Sequence, residues 1–575
     1  MPTAKPLASS SSQELTARSR VPQALMAAGG LYWAFQVAWF WRYCGHNINA
    51  DAVSYIGIAR HITDGDFRGS LHGYWSPLVS WLIAAVSLLG SNRTLMARLL
   101  MLPAFALCMV LMHGLTQRLW NSRRLSALVV LWFAAARGVA AFSVCFIGAD
   151  LVLTAAMLTY FILLVGCLRE PDRRRNWLLL GLAHGIAFLA KAIAMPLLGF
   201  ATLLAVLSTR GKNLKRTAAT LAIAAVIPAL IWASWGSALR QKYGMFTTGY
   251  QLRWNLIDPA LKRDADRSQG LIILNDMRTT YDAHMVTDAM PPGSRFWQAQ
   301  VWRPALVRQM ARREGQNIPE AVKQFMVLLT PGGVLALILC AVQLTRGRRG
   351  CPAHFRFLGI VLLATTVLVL AYCMLVFDAR YLLPITPVLM ALSVRFVAPP
   401  GWTKDMPDAD GETVADAGGW QRAAGVLLVI GLVAVQIYWA SPFRTIRQDF
   451  QQSVYDAADT LRKSGARNIV AIGEGPYPEH GVGWEASVYA AYFADSRIIA
   501  ELYDVPPGVD ADSVVSDVGK LAPDAVVIWG APSSSGYAAA LRERLQRAHP
   551  ETSISEINDP NKGTVGAVVL LKAKT

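Results

Sequence analysis

Two patterns divide the chain. Long apolar runs parted by short polar loops fill residues up to about 443, and shorter apolar runs between polar helical stretches fill the rest. A bilayer span needs about 20 apolar residues as a helix, and the runs at about 22–43, 94–117, 124–145, 149–168, 176–190, 192–209, 217–236, 324–344, 355–376, 382–398 and 422–441 read as about eleven crossings. Residues 75–90, WSPLVSWLIAAVSLLG, are also apolar but reach only about 24 Å as a helix. Charge decides their place. If this run crossed, the basic loops QRLWNSRR (117–124) and REPDRRR (169–175) would fall outside, so it is read as lying on the outer leaflet.

The first outer stretch, 46–77, is polar at its start, helical in its middle and aromatic at its end. Asp51, Tyr55, Ile58, Ala59 and Ile62 recur at three- and four-residue spacing and share one face of a short helix. An Asp at that N-terminus suits a helix cap, and it equally suits an acid facing the aqueous side. The outer loop 237–323 is far longer than ordinary connections, which marks it as functional, and within it 300–313 reads as a basic amphipathic helix on the membrane surface. Beyond residue 444 the runs NIVAIG (468–473), RIIA (497–500), DAVVIW (524–529) and AVVLLK (567–572) alternate with helical segments such as 535–548. This predicts a small α/β domain. Its GEG at 473–475 reads as a strand-end turn.

The expected organisation is a disordered cytoplasmic tail (1–21), a helical polytopic membrane domain (22–443, with outer loops 44–93 and 237–323) and an extracytoplasmic α/β domain (444–575). Composition agrees: 54% of residues are hydrophobic and only 16% charged. The net charge of +17 sits in the short loops on one side, so it marks membrane orientation with a cytoplasmic N-terminus and points to no nucleic acid. All seven Cys lie in the membrane part, which leaves the α/β domain without a disulfide framework.

Some charges stand on the outer side, where function is the usual reason for them. They are Arg98, Asp150, Lys191 and Arg380. Lys191 and Arg380 together suit an anionic group, Lys as a point charge and Arg as a fork. Internal pairing is the competing account, Arg380 with Asp378 and Arg98 with Asp150.

Five stretches, in order, resemble motifs of the GT-C polyprenyl-phosphate-sugar glycosyltransferases, the family of aminoarabinose transferases and protein O-mannosyltransferases. They are DAVSYIGIARHITDGDF (51–67), GYWSPLVSWLIAAVSLLG (73–90) with Arg98, GADLVLTAAMLTYFILL (148–164), GLAHGIAFLAKAIAMPLL (181–198) and DARYLLPITPVLM (378–390). Ala52, Ala149 and Ala190 stand where the family often has a second acid, a Pro and a Thr. The resemblance implies an inverting glycosyltransferase in a bacterial inner membrane. It would move a sugar from a polyprenyl-phosphate donor to a hydroxyl of an extracytoplasmic glycan, lipid or protein. It implies Asp51 as general base, Asp150 as the second catalytic acid, and Lys191, Arg380 and Arg98 at the donor phosphate. Tyr55, His72, Tyr74, Trp75 and Tyr381 would contact substrate. The metal-binding Glu of some members has no counterpart near Ser76, with His72 close by, so a divalent metal is allowed but not required. A transporter or flippase without chemistry is the alternative, since charged groups and short helix pairs serve those proteins too.

Overall fold

The computed structural model describes residues 10–44, 48–136, 141–211, 213–249, 271–273, 304–346, 353–375, 378–398, 402, 423–432, 434, 449–473, 482–503, 509–530, 536–559 and 563–571. In chain order the elements are α1 (Ser10–Cys44), α2 (Ala50–Thr63), α3 (Phe67–Ser70), α4 (Pro77–Ser87), α5 (Arg93–Trp120), α6 (Arg123–Ala135), α7 (Ala149–Arg169), α8 (Arg174–Ala190), α9 (Ala194–Arg210) and α10 (Leu214–Tyr243). There follow β1 (Ile272–Ile273), α11 (Pro304–Arg346), α12 (Ala353–Leu375), a 3-10 turn (Ala379–Leu382), α13 (Thr386–Val397) and α14 (Ala423–Leu432). The last part holds α15 (Asp449–Ser464), β2 (Asn468–Gly473), α16 (Val482–Ala494), β3 (Arg497–Tyr503), α17 (Ala511–Leu521), β4 (Ala525–Trp529), α18 (Gly536–Ala548), β5 (Ser553–Asp559) and β6 (Gly563–Leu570). Contacts gather them into two compact units. The first comprises Met1–Gly45, Arg98–Trp235 and Val307–Ser441; the second comprises His46–Ala97, Gly236–Leu306 and Pro442–Thr575.

The first unit is a helical membrane body. Among the described residues, five helices are long and apolar enough to cross a membrane: α5, α7, α10 and the stretches Glu314–Leu339 of α11 and Arg356–Met374 of α12. The helices α9, α13 and α14 are apolar but shorter. α7 is apolar all round and buried on nearly every side, as a helix at the centre of a bundle must be. Tyr160 of α7 donates to the Leu198 carbonyl (2.9 Å) and lies 2.8 Å from the Thr202 hydroxyl, which ties α7 to α9. α1, α5 and α6 meet through a stack of Trp33, Phe105 and Phe133 with centroids 5.3 and 4.9 Å apart. α8 and α10 touch backbone to backbone, because a Cβ on Gly181 would strike the Ala224 carbonyl and one on Gly185 would strike Ile231. Small residues at four-residue spacing are the usual device for such close approach in a bilayer.

Three expectations are corrected here. The span read as 124–145 stops as a helix at Ala135, capped at its start by Ser122, whose Oγ accepts from the Leu125 N–H (3.3 Å). The surface helix expected at 300–313 is not separate from the next span: its described part joins that span as α11, broken only at Thr330 (φ 64°, ψ 161°) ahead of Pro331. A proline cannot donate its hydrogen bond inside a helix, and a β-branched residue at positive φ is strained. Helix α1 also begins at Ser10, inside the stretch read as a tail.

The second unit is built on a six-stranded sheet of order β1-β3-β2-β4-β6-β5. β3, β2 and β4 run parallel, while β6 and β5 continue antiparallel. Helices cover both faces. Val514, Val518, Leu541 and Leu545 from α17 and α18 bury against Val470, Ile472, Val526 and Ile528. All four strands expected from sequence are present, and β2 and β4 are buried at nearly every position, as central parallel strands are. β5 and β1 were not foreseen. β1 belongs to the long loop 237–323, pairs antiparallel with β3 (Ile272 opposite Glu501) and buries Leu271 in the same core. Most of that loop (250–270 and 274–303), residues 474–475 of the GEG turn and the polar stretch 403–422 lie outside the described residues. The 75–90 segment forms the eleven-residue α4, too short to cross a bilayer, with Trp81, Leu88 and Leu89 exposed at and beyond it.

Candidate functional site

Within the second unit, α2 presents Asp51 in its first turn. The N-cap is Asn49, whose carbonyl accepts from Ala52 N–H (2.9 Å) and Val53 N–H (3.3 Å), so Asp51 is not the cap residue. An acid in the first turn is still favoured by the helix dipole. Asp51 is half-buried, while Ala52 to Ala59 behind it are buried.

Tyr55, one turn on, packs edge-to-face on Trp75 (5.3 Å), which packs edge-to-face on Tyr74 (4.6 Å). Tyr55 and Trp75 are buried and hold α2 on the turn before α4, while Tyr74 is half-buried. His72 is buried, and its Nδ1 accepts from the N–H groups of Tyr74 (3.0 Å) and Trp75 (3.2 Å). A ring nitrogen that accepts carries no proton, so His72 is held as the Nε2–H tautomer and builds the turn. Two neighbours clamp that turn: Tyr243 Oη accepts from Gly73 N–H (3.1 Å), and Lys242 Nζ donates to the Leu71 carbonyl (2.6 Å).

Within the first unit, Asp150 sits in the first turn of α7 and Lys191 is the residue that ends α8. Lys191 Nζ donates to Asp150 Oδ1 at 2.8 Å, and both are buried. Lys191 is therefore a partner of Asp150. Over this pair stand two stacked rings, Tyr372 and Tyr381, with centroids 4.1 Å apart and planes 12° from parallel. Lys191 Nζ is 4.5 Å from the Tyr381 centroid and 5.8 Å from that of Tyr372, a cation–π arrangement. Arg380 also approaches Tyr381: its Cζ is 5.3 Å from that ring and 4.8 Å from the Phe146 ring. Its Nε lies 3.1 Å from Asp378 Oδ2, as the short-range pairing had suggested. Asp378 also caps the 3-10 turn by accepting from Arg380 N–H (3.0 Å).

Sequence-predicted residues thus fall into groups. Asp150, Lys191, Arg380 and Tyr381 share one cluster, joined by Tyr372, Phe146 and Asp378. Tyr55, His72, Tyr74 and Trp75 share another, with Asp51 one turn before Tyr55 on α2. Arg98 is buried with its Cζ 5.8 Å from the Trp41 ring. Tyr372 and Phe146 were missed, since an aromatic in an apolar run looks like any lipid-facing or core ring. Among the described residues, no group of three or more His, Cys, Asp or Glu is arranged to hold a metal ion.

The cluster thus sets two cations beside two carboxylates among aromatic rings, one ion pair buried (Lys191 with Asp150) and one half exposed (Arg380 with Asp378). Residues 74–232 match the family model of dolichyl-phosphate-mannose-protein mannosyltransferase. The structure is similar to that of ArnT from Cupriavidus metallidurans bound to undecaprenyl phosphate, at TM-score 0.52 and 14% identity, over 96% of this chain and 98% of that one. The chain has the GT-C fold. The apo form of the same ArnT aligns equally (TM-score 0.52, 15% identity, over 97% of this chain and 99% of that one). The oligosaccharyltransferase of Archaeoglobus fulgidus, another GT-C protein, aligns at TM-score 0.55 and 12% identity over 90% of this chain and 70% of that one. No curated protein sequence matches the chain. The GT-C fold explains a multi-pass helical body combined with an α/β domain in one chain.

Proposed function

We propose that the chain is an integral-membrane, inverting glycosyltransferase that moves a sugar from a polyprenyl-phosphate donor to an acceptor hydroxyl on the extracytoplasmic face. The observation that carries this reading is the Asp150–Lys191 pair beneath Tyr372 and Tyr381, with Arg380 beside them, in a GT-C fold whose solved relative holds undecaprenyl phosphate.

The donor's lipid tail lies in the bilayer and its phosphate meets Lys191 and Arg380. Asp51 takes the proton of the acceptor hydroxyl as general base, a role worth typically 10²–10⁴-fold in rate. The acceptor oxygen forms its bond to the anomeric carbon as the bond from that carbon to the phosphate oxygen breaks. The electron pair of that bond leaves with the polyprenyl phosphate. Lys191 and Arg380 answer the charge that grows there, and electrostatic preorganisation of this kind is often the largest catalytic contribution. Asp150 keeps Lys191 charged and aimed, which makes it a positioning acid in this reading. Tyr74 offers a half-buried ring to the sugar, while Tyr55, Trp75 and His72 shape the turn that bears it. Tyr381 and Arg98 complete the phosphate side.

The test is mass spectrometry of lipids that co-purify with the protein, run beside a transfer assay on the same preparations. Polyprenyl phosphate or its glycosylated form should accompany the wild type and be lost from Lys191→Ala and Arg380→Ala. Asp51→Asn should retain the lipid and lose transfer by at least about 10²-fold. Bulk phospholipid alone, or wild-type turnover in Asp51→Asn, overturns the reading. Lipid binding with movement across the bilayer but no transfer would instead establish a flippase.

A further inference from the structure

The C-terminal turn of α2, the helix that begins with Asp51, is fastened to the α/β domain. Arg60 Nη1 donates to Asp495 Oδ1 at 2.9 Å. Asp495 closes the turn after α16, in the left-handed region (φ 57°), a conformation Asp tolerates better than most residues. That turn is itself rigidly held. Ser496 Oγ donates to the Ala466 carbonyl (2.7 Å), Arg462 Nη2 donates to the Phe493 carbonyl (2.6 Å), and Arg467 Nη1 reaches the second oxygen of Asp495 (3.4 Å). One turn earlier on α16, Tyr492 Oη lies 2.7 Å from Thr94 Oγ1 at the start of α5. Arg93, beside Thr94, donates to Thr63 Oγ1 (3.3 Å) and pairs with Asp64 (3.6 Å), the two residues that finish α2. The α/β domain, the end of α2 and the start of α5 are therefore one polar junction, all within the second unit.

A helix is stiff. Asp51 and Arg60 are nine residues apart, about 13.5 Å along its axis, so fixing one end sets the place of the other. We infer that the α/β domain is a positioning element for the reaction, acting through Arg60 and Asp495 as positioning residues that hold the α2 helix and so aim Asp51. This rests on Asp51 being the base of the proposed transfer. A displacement near 1 Å from a remote change is enough to cost about 10²-fold in rate. A half-exposed ion pair at this site adds little to global stability, so its loss should be felt in alignment before folding.

The test uses the full chain in detergent or nanodiscs. Arg60→Met and Asp495→Asn should each lower kcat by roughly tenfold or more with KM held within about twofold, and Arg60→Lys should recover much of the loss. Hydrogen–deuterium exchange, which needs no donor, should rise across residues 50–64 in both variants and stay unchanged in β2 and β4. Unchanged exchange at 50–64 overturns the inference, as does unchanged kcat in a protein whose Asp51→Asn variant is dead. If Asp51→Asn itself turns over normally, the proposed function fails first, and the exchange data still report whether the α/β domain holds α2.

Discussion

Two acid–base pairs in the two units show how differently the same chemistry is used. Lys191 and Asp150 keep only 11% and 4% of their side-chain surface, whereas Arg60 and Asp495 keep 28% and 45%. The distances are nearly equal, 2.8 and 2.9 Å. The surroundings set the consequences. Water screens the outer pair and would solvate either partner left alone, so its worth to folding is about 0–1 kcal/mol. The inner pair has no such recourse. Each charge depends on the other, and breaking such a pair typically costs about 3–5 kcal/mol because one charge is stranded. A membrane body that retains a pair of this kind at the ends of α7 and α8 holds a built charge site, while the outer pair is an adjustable strap.

The strongest way to break the comparison is to remove one inner partner. Asp150→Ala should destabilise the protein by about 3–5 kcal/mol, read as a large fall in the thermal unfolding midpoint in detergent. Asp150→Ala combined with Lys191→Met should recover most of that loss, because an apolar replacement of both partners leaves no orphan charge. If the single variant unfolds with the wild type, the pair is wetter than its burial implies and the contrast with Arg60–Asp495 disappears.

A gentler change sharpens the same contrast from the other side. Arg60→Ala should alter the unfolding midpoint by no more than about 1 kcal/mol equivalent. A fall comparable to that of Asp150→Ala would mean that the junction at Asp495 is structural at the scale of the whole fold.

The contrast also explains what could be read from the sequence. β2 is legible in full at 468–473, since NIVAIG is a short run of β-formers bounded by turn residues. β5, SISEIND, is not legible in the sequence, because only Ile554 and Ile557 mark it and a bulge after Ile557 breaks the alternation. β1 is two residues long and exists only because β3 offers it an edge. Charges at the ends of apolar runs stand out individually in the sequence, and the pairing of Arg380 with its neighbour Asp378 follows from proximity along the chain. The pairing of Lys191 with Asp150 did not, for it joins residues 41 apart through the packing of α8 against α7. The contact of Arg60 with Asp495 spans 435 residues, and no local pattern announces it. Periodicity reveals which face of an element is buried. It is silent on which two faces meet, and here both pairs depend on that.

The smallest effect concerns a third acid, at the corner between α2 and α3. Asp66 accepts from Gly69 N–H (2.8 Å), and its second oxygen lies 2.9 Å from His61 Nδ1. Gly69 has no alternative here, since a Cβ would strike both the Asp66 carboxylate and the His61 ring. The Gly69 hydrogen bond, helped by nearby His61, holds the Asp66 carboxyl below the usual carboxylate range. A depressed folded-state value means that the charged form favours the native corner. Its contribution is therefore complete above the unfolded value of about 3.9 and is lost as pH falls through the lower, folded value. Asp66 is half in solvent, so the stabilisation is small. Amide exchange at Gly69 and Ser70, corrected for intrinsic rates, should accelerate between about pH 4 and pH 2 and show no Asp66-dependent change between pH 5 and 8. Asp66→Asn should flatten the acid response, because the amide cannot titrate. A response that survives in Asp66→Asn would assign it to another group, and the α2–α3 corner would then owe its shape to Gly69 and His61 packing alone.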